Sequence, residues 1–275
     1  MTNLLEINNL SVDFPSRRGQ VSAVNKVSLA VAKGEVLGLV GESGAGKSTV
    51  GNSVINLLEP PGLISGGEII FDGTRIDQLS NEEMRKLRGT KIGTIFQDPQ
   101  TSLNPLMTIG KQLSETLIET LKISGASARE KSIELLDSVG IPDPEPRLNA
   151  YPHQFSGGMR QRVVIALALA GDPDLIIADE PTTALDVSIQ KQILDLMKSL
   201  CKQRNLGVII VTHDIGVIAE IADRVAVMYN GQLVEQGEVT QVLQKPKHDY
   251  TKSLISAVPS GDQKLHRFTV VDYID

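Results

Sequence analysis

The stretch Gly41-Glu-Ser-Gly-Ala-Gly-Lys47-Ser48-Thr49 decides the fold of this chain. It fits the Walker A pattern, in which two glycines separated by four residues are followed directly by Lys and then Ser or Thr. A continuous apolar run at 36–40 precedes it, as expected for a strand buried on both faces. Amides of such a loop cradle a nucleotide's phosphates, while the lysine reaches the β/γ oxygens and the serine ligates Mg²⁺. The expected nucleotide-binding residues are Gly41, Ser43, Gly44, Gly46, Lys47, Ser48 and Thr49.

Two adjacent carboxylates, Asp179 and Glu180, follow the apolar run 175–178. Ligands of open α/β sheets bind at the carboxyl ends of strands. Asp179 is therefore placed to hold Mg²⁺, directly or through water. Glu180 is placed to orient or deprotonate an attacking water, a role worth roughly 10²–10⁴ in rate. The alternative is an acidic strand end that simply faces solvent.

Two further polar residues end β-like runs. His213 follows the apolar run 208–211, where it could contact a γ-phosphate, and the alternative is a structural histidine. Gln97 follows Ile95-Phe96, where its amide could touch Mg²⁺ or the attacking water. The alternative for Gln97 is an ordinary loop residue before Asp-Pro.

A second glycine-rich loop, Phe155-Ser156-Gly157-Gly158-Met159, opens an apolar helix. Ser is a favoured N-cap, and the glycines leave the positive end of the helix uncovered, so the loop suits an anion. Plain helix capping is the alternative. Because the chain has only one Walker A motif, we expect this loop to complete a site on a partner.

Composition limits the classes of function. The 275 residues carry a net charge of −6, no Trp and 3% aromatic residues, which argues against a nucleic-acid partner. The single Cys201 excludes an internal disulfide framework or a four-thiolate metal site within one chain, and its apolar neighbours indicate a buried helical thiol. Residues 1–14 show no signal-peptide pattern, and no apolar stretch is long enough to span a bilayer. We expect a soluble, intracellular chain whose membrane work requires another subunit.

Hydrophobic periodicity predicts an α/β fold. Alternating apolar residues predict strands in the first third, and Ile69-Ile-Phe71 before Asp72-Gly73 predicts a hairpin. A four-residue period from about 108 to 140 predicts a helical lobe, after which prolines at 142, 144 and 146 predict an extended linker. Strands that alternate with helices afterwards predict a mostly parallel sheet.

Taken together, the motifs resemble those of the nucleotide-binding subunit of ATP-binding cassette (ABC) transporters, over nearly the whole chain. They occur in this order: Walker A, Gln97, the loop 155–159, the run ending at Glu180, Ala184-Leu-Asp186, and His213. The resemblance implies a P-loop NTPase core with an N-terminal antiparallel β subdomain and an inserted α-helical lobe. It places the core at 1–98 and 160–240, the lobe at 99–159 and a C-terminal extension at 241–275.

The same resemblance implies roles for individual residues. Ser156, Gly157 and Gly158 look like the signature that closes on ATP held by the opposite subunit, and Asp186 looks like the D-loop aspartate crossing that interface. Glu180 looks like the catalytic base and His213 like the switch histidine. Phe14 matches the position of the aromatic that stacks on adenine, and the alternative is a strand-end core residue. The implied cofactors are ATP and Mg²⁺.

Three features resemble the dipeptide/oligopeptide importer branch of this family. They are the variant signature residues Phe155 and Met159, the run 96–105 and the run from His248 to Pro259. That branch often carries a cysteine-rich iron–sulfur segment after the last run, and because those cysteines are lacking, no cluster is expected here. The implied partners are a second ATP-binding subunit, identical or paralogous, two transmembrane permease subunits and, indirectly, an extracytoplasmic binding protein. The implied location is the cytoplasmic face of the membrane. Alternatives are import of nickel, glutathione-like or sugar-derived cargo, or a non-transport cassette ATPase acting in repair, on chromosomes or on ribosomes.

Overall fold

Two sheets form the framework of this computed structural model, which describes residues 3–16, 19–183 and 185–257. The first is antiparallel and four-stranded, with strand order β2-β1-β4-β5. Its strands are β1 (Asn3–Ser16), β2 (Gly19–Ala32), β4 (Leu63–Phe71) and β5 (Thr74–Arg75). Strands β4 and β5 form the predicted hairpin around Asp72 and Gly73, which both have positive φ as a two-residue turn of this kind requires.

The second sheet has the order β10-β9-β3-β8-β7-β6, and only β10 runs antiparallel to its neighbour. Its strands are β3 (Val36–Val40), β6 (Ile92–Ile95), β7 (Leu175–Asp179), β8 (Gly207–Thr212), β9 (Arg224–Tyr229) and β10 (Gln232–Glu238). All five residues of β3 are buried, since this strand lies between β9 and β8 and is covered on both faces. The predicted mostly parallel sheet and N-terminal antiparallel subdomain are confirmed.

Helices cover the parallel sheet and form the lobe. Those of the core and C-terminal part are α1 (Lys47–Val54), α2 (Asn81–Leu87), α7 (Gly157–Leu169), α8 (Val187–Arg204), α9 (Ile215–Ile221), α10 (Val239–Gln244) and α11 (Asp249–Ser256). Those of the lobe are α3 (Pro99–Ser102), α4 (Ile109–Leu121), α5 (Gly125–Ser138), α6 (Pro144–Arg147) and a 3₁₀ turn, Pro152–Gln154. In the described part of the chain, no helix combines the length and hydropathy that a membrane crossing needs.

The proline-rich segment after α5 corrects one expectation. The predicted extended linker is in fact partly the short helix α6, which begins at Pro144. Proline is tolerated in the first turn of a helix, because the N–H groups there have no intrahelical acceptor and its φ already suits the helix. A four-residue helix consists almost entirely of that first turn, so Pro144 and Pro146 do not break it.

Side chains on opposite faces of β3 enter different hydrophobic cores. Leu37 and Leu39 pack with α1 and the antiparallel sheet, whereas Val36 and Val40 pack with α7, α8 and α9. Each fully buried aliphatic side chain of this size contributes about 1.5–3 kcal/mol of transfer free energy. Cys201 of α8 is buried in the second core, as its apolar neighbours predicted. The central sheet is therefore held rigidly from both faces, and its carboxyl edge is a fixed platform.

Candidate nucleotide site

The Walker A segment forms the turn between β3 and α1, as predicted. Gly46 precedes α1 with φ of 94°, and a side chain there would collide with the Ala23 carbonyl of β2. Only glycine fits this combination of left-handed backbone and close packing. The first turn of α1 thus presents free backbone amides at the carboxyl edge of the sheet, in the geometry that binds phosphate.

Lys47 lies across the mouth of this loop. Its ammonium donates to the carbonyls of Gly41 and Glu42, each at 2.7 Å, and the residue is only 5% exposed. Burial lowers the pKa of Lys47, although the nearby charges of Glu180 and Asp179 oppose that shift. The loop therefore holds a desolvated cation close to its phosphate-binding amides.

Two side chains with oxygen atoms, Ser48 and Asp179, meet beside the lysine. The Ser48 hydroxyl donates to Asp179 Oδ1 at 3.0 Å, so the end of β7 touches the start of α1. Burial raises the pKa of Asp179, and the charge of Glu180 raises it further, against the hydrogen bond from Ser48. A desolvated carboxylate next to a hydroxyl is a donor set that suits Mg²⁺, which prefers oxygen ligands.

Glu180 has an uncommon backbone conformation. Its φ is 46°, in the left-handed region that is unfavourable for a residue with a side chain. Its N–H donates to the Val211 carbonyl of β8 at 2.8 Å, and Pro181 follows it. Such a conformation costs of order 1–3 kcal/mol and persists only where the surrounding structure enforces it. Here it turns the carboxylate out of the strand direction at the sheet edge.

Three side chains hold the Glu180 carboxylate. His213 Nδ1 lies 2.7 Å from Oε1, whereas the Gln97 amide and the Thr183 hydroxyl donate to Oε2 at 2.8 and 2.9 Å. Burial alone would raise the pKa of Glu180, but the bonds from His213 and Thr183 and the charge of Lys47 outweigh it and lower the pKa. Glu180 is therefore an ionised acceptor at neutral pH.

This cluster brings together Gln97, Glu180 and His213, which the sequence singled out separately. Thr183 was not singled out, because a threonine in the Pro181-Thr-Thr segment carries no pattern of its own. Its spacing of three residues after Glu180 in a turn was the available signal.

The second glycine-rich loop lies where the helical lobe meets the core, at the start of α7. The Ser156 hydroxyl accepts from the Met159 N–H at 3.3 Å, which is the N-cap that the sequence left open as an alternative. Ser156 and Gly157 are exposed, and no residue of the first turn of α7 is acidic. Capping and an open helix N-terminus coexist in one loop.

The segment around Asp186 lies directly beside that loop. A Cβ at Gly157 would be 3.7 Å from Leu185, and one at Gly158 would be 2.6 Å from Ile189. The Asp186 side chain makes no capping bond at the start of α8, and neighbouring Val187 is 84% exposed. One face of the subunit therefore combines residues 156–158 with Asp186 and an uncovered apolar side chain. Ala184, quoted in the same motif, lies outside the described residues.

Phe14 lies near the end of β1, opposite Val21 of β2. Its half-buried ring approaches Gly62 so closely that a Cβ there would be 2.6 Å away. The ring is thus part of the packing of the antiparallel sheet. Adenine stacking by Phe14 stays a prediction.

The fold and this site define a P-loop nucleotide-binding protein. Residues 24–183 match the family model described as "ABC transporter", and residues 234–272 match "Oligopeptide/dipeptide transporter, C-terminal region". The chain belongs to the ABC transporter family. The predicted resemblance, including its peptide-importer branch, is confirmed.

Two known transport proteins are similar in sequence to this chain over almost its full length. Oligopeptide transport ATP-binding protein OppD of Bacillus subtilis is 52% identical over 96% of this chain and 75% of its own. Dipeptide transport ATP-binding protein DppD of the same organism is 49% identical over 99% of this chain and 82% of its own.

Solved structures show the same fold. The dimeric post-hydrolysis state of the ATP-binding cassette MJ0796 bound to ADP and Pi has a TM-score of 0.76 and 31% identity, covering 86% of this chain and 98% of that one. A second dimeric structure of MJ0796, a bacterial ABC transporter cassette, has a TM-score of 0.75 and 32% identity over the same shares.

Proposed function

We propose that this chain is the ATP-hydrolysing subunit of an importer for di- and oligopeptides. The observation that carries the hydrolytic part is the Glu180 carboxylate, which is ionised, rigidly held and adjacent to the residues of the phosphate loop. A carboxylate base beside a phosphate cradle is the arrangement that water attack on a γ-phosphoryl group requires.

Lys47 and the amides of the loop 41–49 would bind the phosphates of ATP. Lys47 now donates to carbonyls of its own loop, and it exchanges them for phosphate oxygens when the nucleotide enters. Ser48, Asp179 and Gln97 would hold Mg²⁺, which when bound neutralises charge on the β- and γ-phosphate oxygens. Phe14 supplies the stacking surface for adenine.

Glu180 accepts a proton from the attacking water, and its neighbours set its orientation. His213 and Gln97 contact different oxygens of the same carboxylate, so each can respond to a change at the γ-phosphate. Gln97 also links this change to the lobe, because α3 begins two residues later. The loss of the γ-phosphate is thereby communicated to two separate parts of the chain.

A pair of ATP-binding subunits forms the active unit. The exposed loop 156–158, together with Asp186 and Val187, would close on the ATP held by the partner's phosphate loop. Support comes from the adjacency of these residues on one face and from the dimeric relatives. The partner is an identical or paralogous subunit, and reopening follows hydrolysis.

A groove beside Gln97 would receive the permease. It encloses about 500 Å³ and is lined mainly by apolar atoms, including those of Leu57, Phe96 and Leu167. Phe96 is 47% exposed in this groove. Because Phe96 precedes Gln97, a permease segment seated there lies one residue from the nucleotide site. A chain bound to a permease in this way would be a peripheral subunit on the cytoplasmic face of the membrane.

Peptide cargo is supported by the C-terminal match at 234–272 and by the names of the relatives. The test is to co-express the chain with its two permease subunits, to reconstitute the complex in vesicles with its binding protein, and to measure ATP-dependent uptake of labelled short peptides. We expect peptide uptake that depends on ATP. Uptake of nickel or a sugar in place of peptides would contradict the cargo, and co-purification with nucleic acid or ribosomes in place of a permease would contradict transport itself.

Phe96→Asp in the same preparation tests the docking groove. We expect this variant to lose the permease on purification, because a charge would have to be buried in an apolar contact. Val21→Asp is the matched control, since Val21 is an exposed apolar residue of β2 outside the groove. Retention of the permease by Phe96→Asp would contradict the assignment.

A further inference from the structure

The C-terminal helix α11 begins next to the phosphate loop. The Glu42 N–H donates to the hydroxyl oxygen of Tyr250 at 2.9 Å, across 208 positions of sequence. Tyr250 is 8% exposed, and burial raises its pKa above the usual value, so the hydroxyl is neutral at physiological pH. The run 248–259, which resembles the importer branch and has no role in hydrolysis above, thus touches the nucleotide site. Its last two residues lie outside the described part of the chain.

Several bonds fix the position of Tyr250. The Glu235 carboxylate of β10 accepts from the N–H groups of Lys247 and His248 at 2.9 and 3.0 Å. Burial alone would raise the pKa of Glu235, but these bonds outweigh it and lower the pKa. His248 then caps α11 by accepting from the Tyr250 N–H at 3.2 Å. These bonds anchor the start of the helix to the sheet and so hold the backbone of Tyr250 in place.

The ring of Tyr250 packs on Tyr229, with 4.3 Å between ring centroids. Tyr229 ends β9, and its neighbour Met228 presents a carbonyl so close to Gly41 that no side chain would fit there. After β9, the Gly231 N–H donates to the Ala45 carbonyl at 3.2 Å. The C-terminal strands and α11 thus support both the beginning and the middle of the phosphate loop.

The Gly41–Glu42 peptide unit connects Tyr250 to the phosphate-binding lysine. Its N–H donates to Tyr250, and its carbonyl oxygen, that of Gly41, accepts from Lys47 at 2.7 Å. The Tyr250 bond therefore helps to orient this peptide unit. If the tyrosine hydroxyl is removed, the Glu42 N–H loses its acceptor, and the Gly41 carbonyl, one of the two that hold Lys47, is less firmly placed.

We infer that Tyr250 is a positioning residue for ATP binding, through which the C-terminal segment holds the phosphate loop in its binding conformation. This inference rests on the proposed ATP-binding function. Tyr250 touches the loop backbone and not the groups placed around the γ-phosphate. Its loss therefore weakens nucleotide affinity and leaves the hydrolytic step unchanged once ATP is bound.

The test is Tyr250→Phe in the full chain, with Tyr229→Phe as the matched control. Both changes keep the packed pair of aromatic rings and remove one hydroxyl. Within the described residues, the Tyr229 hydroxyl makes no hydrogen bond to the phosphate loop. The measurements are the Kd of a fluorescent ATP analogue with Mg²⁺, kcat at saturating ATP, and the melting temperature without nucleotide.

We expect Tyr250→Phe to raise the Kd about three- to tenfold, as the loss of one hydrogen bond does, with kcat within about twofold of the native chain. Tyr229→Phe should leave the Kd unchanged. An unchanged Kd in Tyr250→Phe, even with a lower melting temperature, would reduce the contact to packing and overturn the inference, as would an equal rise in Tyr229→Phe. If the native chain failed to bind the analogue, the proposed function would fail first.

Discussion

The two glycine-rich loops of this chain differ in how far the chain itself supports them. The phosphate loop at 41–49 is enclosed by contacts from β2, β9 and α11, and its lysine is almost fully buried. Among the described residues, the loop at 156–158 is held by its own N-cap bond and by contacts with Leu185 and Ile189, and Ser156 and Gly157 are exposed. We propose that the phosphate loop is rigid because it binds a ligand of its own chain, and that the loop at 156–158 stays open because it completes a site on another chain.

The largest expected effect separates chemistry from binding at the phosphate loop. We expect Glu180→Gln to lower ATP turnover by roughly 10²–10⁴, because the base is lost, while the Kd for ATP stays within about twofold. Glu134→Gln, at an exposed acid of α5, is the control. Undiminished turnover in Glu180→Gln would remove the carboxylate from the hydrolytic step.

A smaller effect distinguishes the two glycines of the exposed loop. Gly158→Ala places a methyl group 2.6 Å from Ile189, so we expect a loss of about 1–2 kcal/mol in unfolding free energy by denaturant titration. Gly157→Ala meets only an ordinary contact at 3.7 Å and should leave stability nearly unchanged while impairing ATP-dependent pairing. Equal stability of the two variants would show that Gly158 is not constrained by α8.

The smallest expected effect concerns the stability of the nucleotide-free protein and its dependence on Asp179. Burial and the charge of Glu180 raise the pKa of Asp179. The free energy of unfolding therefore falls as pH rises through this raised pKa, and it is fully recovered below the ordinary aspartate pKa of the unfolded chain. Asp179→Asn keeps an oxygen acceptor for Ser48, and we expect a higher melting temperature at neutral pH without nucleotide. The gain should vanish near about pH 3, below the ordinary aspartate pKa. A gain that was the same at both pH values would contradict a titrating cause.

Local patterns predicted the parts of this molecule that local sequence controls. The apolar run 36–40, the glycine spacing and the carboxylates after β7 all encode short-range geometry, and the structure places them as expected. Gln97, Glu180 and His213 were predicted individually at one sheet edge, but not their convergence on a single carboxylate. That convergence depends on the left-handed backbone of Glu180, which no residue pattern announces.

Other features depend on contacts between distant segments. The bond between Glu42 and Tyr250 joins residues that only the completed sheet brings together. The prolines after α5 predicted an extended segment because each one disfavours a helix interior. Their position within a single first turn, which decides the outcome, was not visible from composition.

The claim that the exposed loop completes a partner's site is tested most directly by ATP-dependent dimerisation. Because Glu180→Gln is expected to hydrolyse ATP slowly, this variant should keep ATP bound, and the mass of the variant is measured in solution by light scattering with and without ATP. Ser156→Arg is added to it, and Ser124→Arg, at the N-cap serine of α5, serves as the control for loss of a cap. The account predicts that ATP binds to all three proteins and that only the Ser156→Arg variant stays monomeric. A dimer of Ser156→Arg with ATP would contradict it.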